Sequence, residues 1–200
     1  HRTFGTGEAQ VHALVGVDID VNGGQLTAVT GPSGSGKTTL LNLLGGLDRP
    51  TSGQVLLDGD TVLSELSENA VLATRRQRIG YVFQTFGLVP VLSATENVEV
   101  PLRLNGVAAS ERAERVAAIL ERVGLARHAK QRPNELSGGQ QQRVGVARAL
   151  VAEPDILIAD EPTGQLDSDT AATIMDLIVE LTHERGLASV ISTHDPLLMA

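Results

Sequence analysis

Gly31-Pro32-Ser33-Gly34-Ser35-Gly36-Lys37-Thr38-Thr39 has the pattern G-x-x-x-x-G-K-[ST], a loop that wraps the phosphates of a nucleotide. The residue types carry the chemistry. Glycine lets the backbone turn tightly and aim its N–H groups inward, because no Cβ blocks the approach. Those N–H groups and the start of the following helix make an anion site. Lys37 is placed to reach the β- and γ-phosphates as a point charge, and the Thr38 hydroxyl to ligate Mg²⁺. The candidate phosphate cradle is therefore Gly31, Ser33, Gly34, Ser35, Gly36, Lys37, Thr38 and Thr39.

The flanks agree with that reading. Leu26 to Thr30 reads as a short buried strand. Leu40, Leu43, Leu44 and Leu47 fall at i, i+3, i+4 and i+7, one face of a helix. Strand, glycine loop and helix are the setting such a loop requires.

The 200 residues suit one domain. Hydrophobic residues make up 42% and aromatics 2%, so the core must be built from Leu, Val, Ile and Ala. The absence of cysteine excludes disulfides, thiolate metal sites and cysteine nucleophiles, and fits a reducing compartment. A net charge of −8 argues against broad nucleic-acid binding. No apolar run approaches the roughly 20 residues of a membrane-spanning helix. Beginning at His1 and stopping at Ala200, the chain reads as a piece trimmed at both ends.

Further along, Val15, Val17, Ile19 and Val21 alternate with polar residues or glycine, as in a half-exposed strand of an antiparallel sheet. Gln54 to Gly59 and Ile79 to Gln84 read as strands, with Ile79, Tyr81 and Phe83 on one face of the second. Residues 93–150 read as mostly helical. Ser110 is the expected cap of a helix with a Val116, Ile119, Leu120, Val123 stripe, stopped by Gly124. A second helix opens at Leu136-Ser137-Gly138-Gly139-Gln140 and is expected to reach Pro154. Ile156 to Asp160 reads as a central parallel strand buried on both faces. Ser168 is the expected cap of a helix striped by Ile174, Leu177, Ile178 and Leu181 and ended by Gly186, and Ala188 to Thr193 is one more buried strand. Alternating strands and helices predict an α/β fold with a largely parallel sheet.

In such sheets ligands bind beyond the carboxyl ends of the strands. The P-loop, Gln84, Asp160-Glu161 and His194 all stand at predicted strand ends, so the topology should bring them together. Asp160 is placed to hold Mg²⁺ through water, and Glu161 to polarise a water attacking the γ-phosphate. From the residues alone, Gln84 is equally an amide capping a loop, and a lone histidine such as His194 is more often structural than catalytic.

With Leu136-Ser137-Gly138-Gly139-Gln140 in place, the whole chain resembles the ATPases of the ABC type. Gly31 to Thr38 matches Walker A, Gln84 the Q-loop, Ile156 to Asp160 Walker B with Glu161 as catalytic glutamate, Gly164 to Asp167 the D-loop, and His194 the switch histidine. The resemblance implies an adenine-stacking role for Phe4, and a catalytic set of Glu161, His194, Lys37 and Gln84. It also implies Mg²⁺ held by Thr38, Gln84 and Asp160. Ser137, Gly138, Gly139 and Gln140, with Asp167, would complete the ATP site of a second copy in a head-to-tail dimer. The expected architecture is a RecA-like P-loop core (1–84 and 151–200) with an antiparallel β part and an inserted helical subdomain (85–150).

The closer resemblance is to the group of macrolide exporters, lipoprotein-release ATPases and the cell-division ATPase. It rests on Tyr81 to Pro90, Glu96-Asn97-Val98 and Ser137 to Arg143. It implies ATP hydrolysis that powers a membrane permease, contacted around Phe86 to Val100, at the cytoplasmic face of the cell membrane, with no nucleic-acid partner. Gln165 and Phe4 depart from the group's usual Asn and Tyr. The alternative is a soluble ABC-type ATPase not coupled to transport.

Overall fold

The computed structural model describes residues 1–193; His194, the predicted switch histidine, lies outside the described residues. The elements are β1 (Arg2–Phe4), β2 (Val11–Leu14), β3 (Gln25–Thr30), α1 (Lys37–Leu44), β4 (Leu56–Leu57), β5 (Thr61–Val62), α2 (Glu68–Arg78) and β6 (Ile79–Val82). They continue with α3 (Ala94–Leu104), α4 (Ala109–Arg122), α5 (Gly138–Leu150), β7 (Ile156–Asp160), α6 (Ser168–Arg185) and β8 (Ala188–Thr193). Four parallel strands form the central sheet in the order β3-β8-β7-β6. β1 with β2 and β4 with β5 make two small antiparallel pairs. This is the mostly parallel α/β architecture of a P-loop NTPase.

Strand alternation divides the core between the two faces of the sheet. Ile158 and Val190 face one side and pack with Leu41 of α1. Leu157, Ala159 and Ile191 face the other and pack with Ile174, Ile178 and Leu181 of α6 and Val146 and Leu150 of α5. Burial on both faces is why β7 and β8 are continuous apolar runs. α3 and α4 extend the second cluster through Val98, Leu102, Val116, Ile119 and Leu120.

Several local expectations are corrected. No strand covers Val15 to Val21; β1 is paired instead by Val11–Leu14, which leaves Val15 and Val17 exposed while Val21 packs under α1. Alternation permits a strand, but Val15–Val21 forms no ladder with any segment among the described residues. α1 ends at Leu44, because Gly45 caps it and Gly46 turns left-handed at φ 62°. Leu47 therefore lies beyond the helix and exposed, and Leu41, not part of the predicted stripe, is fully buried. β4 keeps only Leu56 and Leu57 of the expected 54–59 strand, and β6 stops at Val82, one residue before Phe83. Phe83 still stacks on Tyr81, ring centroids 5.2 Å apart. α5 ends at Leu150 rather than running to Pro154.

The caps move by one or two residues. Ala108, extended at ψ 148°, precedes α4 without a side-chain cap, and Ser110 sits inside the helix. Asp167 takes the place expected of Ser168: its carboxylate accepts from Thr170 N at 3.0 Å. An aspartate one residue earlier reaches the same N–H group and also complements the helix dipole. Gly124 and Gly186 end their helices as expected, at φ 74° and 64°.

Candidate active site

Because all four central strands are parallel, their carboxyl ends lie along one edge, and the loops leaving β3, β6 and β7 meet there. The P-loop runs from Thr30 to α1, whose N-cap is Gly36 at φ 93°. A side chain at Gly36 would strike the Ala13 carbonyl at 2.5 Å, and one at Gly31 would strike Ser35 Oγ at 2.7 Å. The glycines thus keep β2 against the loop and keep its turn open for a ligand.

Lys37 is only 7% exposed and is the only ionisable side chain in the buried set among the described residues. Its Nζ donates to the Gly31 carbonyl at 2.9 Å and the Pro32 carbonyl at 3.2 Å, and pairs with Glu161 Oε1 at 3.4 Å. A buried ammonium needs such partners. Gln84, two residues beyond β6, donates from Nε2 to Glu161 Oε2 at 3.1 Å. Thr38 Oγ1 donates to Asp160 Oδ1 at 3.3 Å. The structure therefore joins Lys37, Thr38, Gln84, Asp160 and Glu161, from three loops, in one hydrogen-bonded set.

Glu161 stands at φ 42°, a left-handed conformation that non-glycine residues rarely adopt. Its N–H donates to Ser192 O and Oγ at 3.2 and 2.9 Å, and its carbonyl accepts from Gly164 N at 3.0 Å. These bonds hold the turn that swings the carboxylate from the strand end toward Lys37. Ser192 also donates from Oγ to Asp160 Oδ1 at 2.6 Å, so one hydroxyl orients both acidic residues. Sequence reading passed over Ser192, since only the parallel register that sets it beside Asp160 gives it that role.

Oxygen chemistry at the site suits magnesium. Among the described residues no cluster of three His, Cys, Asp or Glu side chains could hold a metal alone. Thr38 and Asp160 instead offer a hydroxyl and a carboxylate side by side, hard ligands of the kind that share Mg²⁺ with substrate phosphates and water.

Ser137, Gly138, Gly139 and Gln140 lie elsewhere. Ser137 caps α5, its Oγ accepting from Gln140 N at 3.3 Å while Gln140 Oε1 accepts from Ser137 N at 2.8 Å. A side chain at Gly139 would strike Thr170 Cγ2 at 2.4 Å, so this turn packs against the start of α6. Among the described residues no hydrogen bond or ion pair joins Ser137–Gln140 to the P-loop of the same chain.

The likeness to known proteins follows the same residues. The ABC transporter family model matches residues 14–164. The chain belongs to the ABC transporter family. It is 48% identical to an uncharacterized ABC transporter ATP-binding protein of Thermotoga maritima, over 97% of this chain and 82% of that protein. It is 46% identical to the macrolide export ATP-binding/permease protein MacB of Hyphomonas neptunium, over 97% of this chain but 30% of that longer protein. The ATP-binding cassette MJ0796, solved as a dimer in a post-hydrolysis state bound to ADP and Pi, superposes with a TM-score of 0.87. It is 43% identical, covering 97% of this chain and 85% of that one.

The remaining predicted residues of this ABC chain are placed as follows. Phe4 is 40% exposed, with the Arg2 guanidinium 4.4 Å from its ring centroid, and Arg2 is itself paired with Asp48. Asp167 is spent on capping α6, and the Thr170 N–H holds its carboxyl below the ordinary aspartate range. Phe86 turns left-handed at φ 61°, and Arg148 of α5 donates to the Phe86 and Gly87 carbonyls at 3.1 and 2.6 Å. Burial lowers the Arg148 pKa from its ordinary value. Asn97, fully buried, donates to the Val89, Leu92 and Ser93 carbonyls and accepts from Val89 N. Arg148 and Asn97 shape the segment after Gln84; Asn97 lies in a stretch that carried the resemblance, but its role in holding that segment is visible only in the fold. No helix among the described residues is long and apolar enough to cross a membrane.

Proposed function

We propose that the chain is the ATP-hydrolysing subunit of an ABC transporter, acting as a head-to-tail pair that drives a permease. The observation that carries this is the split between two half-sites: Lys37, Thr38, Gln84, Asp160 and Glu161 converge at the P-loop, while Ser137–Gln140 cap a helix start with no bond to that loop. A phosphate site that its own chain does not use fits a second copy.

The P-loop N–H groups and Lys37 bind the ATP phosphates, and Phe4 stacks on the adenine. Thr38 and Asp160, with Gln84, hold Mg²⁺, which neutralises phosphate charge when bound. Glu161 accepts a proton from the attacking water while the bond from the γ-phosphorus to the bridging oxygen breaks, giving ADP and phosphate. Lys37 pairs with Glu161 at 3.4 Å, and the γ-phosphate competes for Lys37, which turns the carboxylate toward the attacking water. His194 completes the catalytic set. The partner's Ser137, Gly138, Gly139, Gln140 and Asp167 close over the same nucleotide, so hydrolysis is coupled to pairing.

The permease is contacted around Phe86 to Val100. Val89 and Val91 are exposed there, and a shallow groove of about 250 Å³ is lined by Leu47, Leu72, Phe83 and Leu104 among others. Such an apolar patch suits a protein partner at the cytoplasmic face of a membrane. With the chain divided into a core (1–84 and 151–200) and a helical part (85–150), the groove would draw its lining from both, Leu47 and Phe83 from the first and Leu104 and Arg148 from the second.

Mg-ATP turnover measured against protein concentration tests the proposal. Specific activity should rise with concentration and vanish in Lys37→Ala. Activity per chain that stays constant on dilution, as in a monomeric ATPase, would refute the paired mechanism.

A further inference from the structure

The Ser137–Gln140 cap is held from behind by a histidine. Gln140 Oε1 accepts from Ser137 N at 2.8 Å; a backbone N–H can only donate, so the amide orientation is fixed. Gln140 Nε2, with two hydrogens, then faces His128 Nε2 at 3.2 Å. That ring nitrogen must be an acceptor and carry no proton, so the proton sits on Nδ1, which donates to Gln131 Oε1 at 2.5 Å. The same turn is tied to the start of α3: the Ala129 and Gln131 carbonyls accept from Thr95 N at 2.9 Å and Ala94 N at 2.8 Å. A continuous run of hydrogen bonds thus leads from α3, through His128, to the cap of α5.

We infer that His128 is a positioning residue for the Ser137–Gln140 turn, and that only its neutral, Nδ1-protonated ring can do this work. The inference rests on the reading of that turn as the half-site offered to a second copy. A proton added at Nε2 sets donor against donor, and Gln140 must then give up either the ring or Ser137. The charged groups of its own turn and of the elements near it are exposed or bonded elsewhere. Arg127 and Lys130 of its own turn are exposed. Glu96 of α3 accepts from Ser93, Glu135 accepts from Arg132 N, and Arg143 of α5 donates to the Val123 carbonyl. Protonation of Nε2 should therefore loosen the turn and weaken ATP-driven pairing.

Two measurements test this. Long-range ¹H–¹⁵N spectra of the chain labelled at histidine should show His128 protonated at Nδ1 and bare at Nε2 at about pH 8, where imidazoles are mostly neutral. ATP-driven pairing is then measured in the Glu161→Gln background with and without His128→Gln, from about pH 8 to about pH 5.5. Glutamine offers an acceptor oxygen that does not titrate. The ratio of pairing constants, His128→Gln over the parent, should be near one at high pH and rise roughly three- to tenfold on acidification, the worth of one hydrogen bond. Single-chain ATP binding should keep the same ratio throughout. A proton on Nε2 at high pH, or a pairing ratio flat with pH, overturns the inference. A chain that never pairs on ATP refutes the proposed function instead, and the ring spectrum still decides the role of His128.

Discussion

Replacing Glu161 by Gln tests the centre of the site in three separable ways. Lys37 and Glu161 pair at 3.4 Å with side chains only 6% and 19% exposed. Two unit charges at that distance attract by about 5 kcal/mol at an effective dielectric constant of about 20. Desolvation offsets much of this, and Lys37 keeps the Gly31 and Pro32 carbonyls as partners. The nucleotide-free variant should therefore lose about 1–2 kcal/mol, which lowers the melting temperature by roughly 2–8 °C for a chain of this size. ATP supplies Lys37 with a new anion, so the loss disappears in the bound state. The variant should then bind ATP roughly 5- to 30-fold more tightly, since every ~1.4 kcal/mol is tenfold. Turnover should fall by about 10² or more, because the general base is gone. Scanning calorimetry without nucleotide, a fluorescent-ATP titration and phosphate release read the three effects. A variant with unchanged melting temperature, unchanged affinity and intact turnover would refute both the ion-pair argument and the role given to Glu161.

Gly36→Ala should lower both stability and ATP affinity, because a Cβ there meets the Ala13 carbonyl at 2.5 Å on a backbone at φ 93°; a cost of about 1–3 kcal/mol should appear in urea unfolding. Tyr81→Phe removes the hydroxyl that donates to the Leu41 carbonyl at 2.8 Å and should cost about 1 kcal/mol at neutral pH. Burial first, and Asp160 second, push the Tyr81 ionisation well above its ordinary value of 10.0. The parent's stability should therefore fall as pH rises above about 10, where the unfolded chain loses the phenolic proton first, and the gap to Tyr81→Phe should close there. Asp167→Ala removes the cap of α6 and should lower the melting temperature at neutral pH. The Asp167 carboxyl is held below its ordinary range in the fold, so this difference should vanish as acid protonates the parent through that lowered value.

Much of the molecule was legible in the chain because its signals are local. Gly31 to Thr39 is one continuous loop, and the apolar runs at Ile156–Asp160 and Ala188–Thr193 can only be strands covered on both sides. Those features determined the fold class, the phosphate cradle and the Asp160-Glu161 strand end, and Leu136 to Gln140 added the family resemblance. Boundaries and caps were less legible. Asp167 and Ser168 are both good caps, and which one wins depends on where α6 is seated against the Ser137–Gln140 turn. Val15 to Val21 had the right alternation, but among the described residues it is Val11–Leu14 that pairs with β1, and Val15–Val21 joins no ladder.

What only the tertiary structure decided is who meets whom at the site. Lys37 and Glu161 lie far apart in sequence, as do Ser192 and Asp160; strand register alone brings them within reach. Likewise His128 is an unremarkable residue in a polar turn until Gln140 arrives from the next helix. A motif records chemistry that one stretch of backbone can present by itself. Partnerships between distant side chains depend on the packing that sets neighbouring elements a few ångströms apart, and that packing belongs to the whole chain.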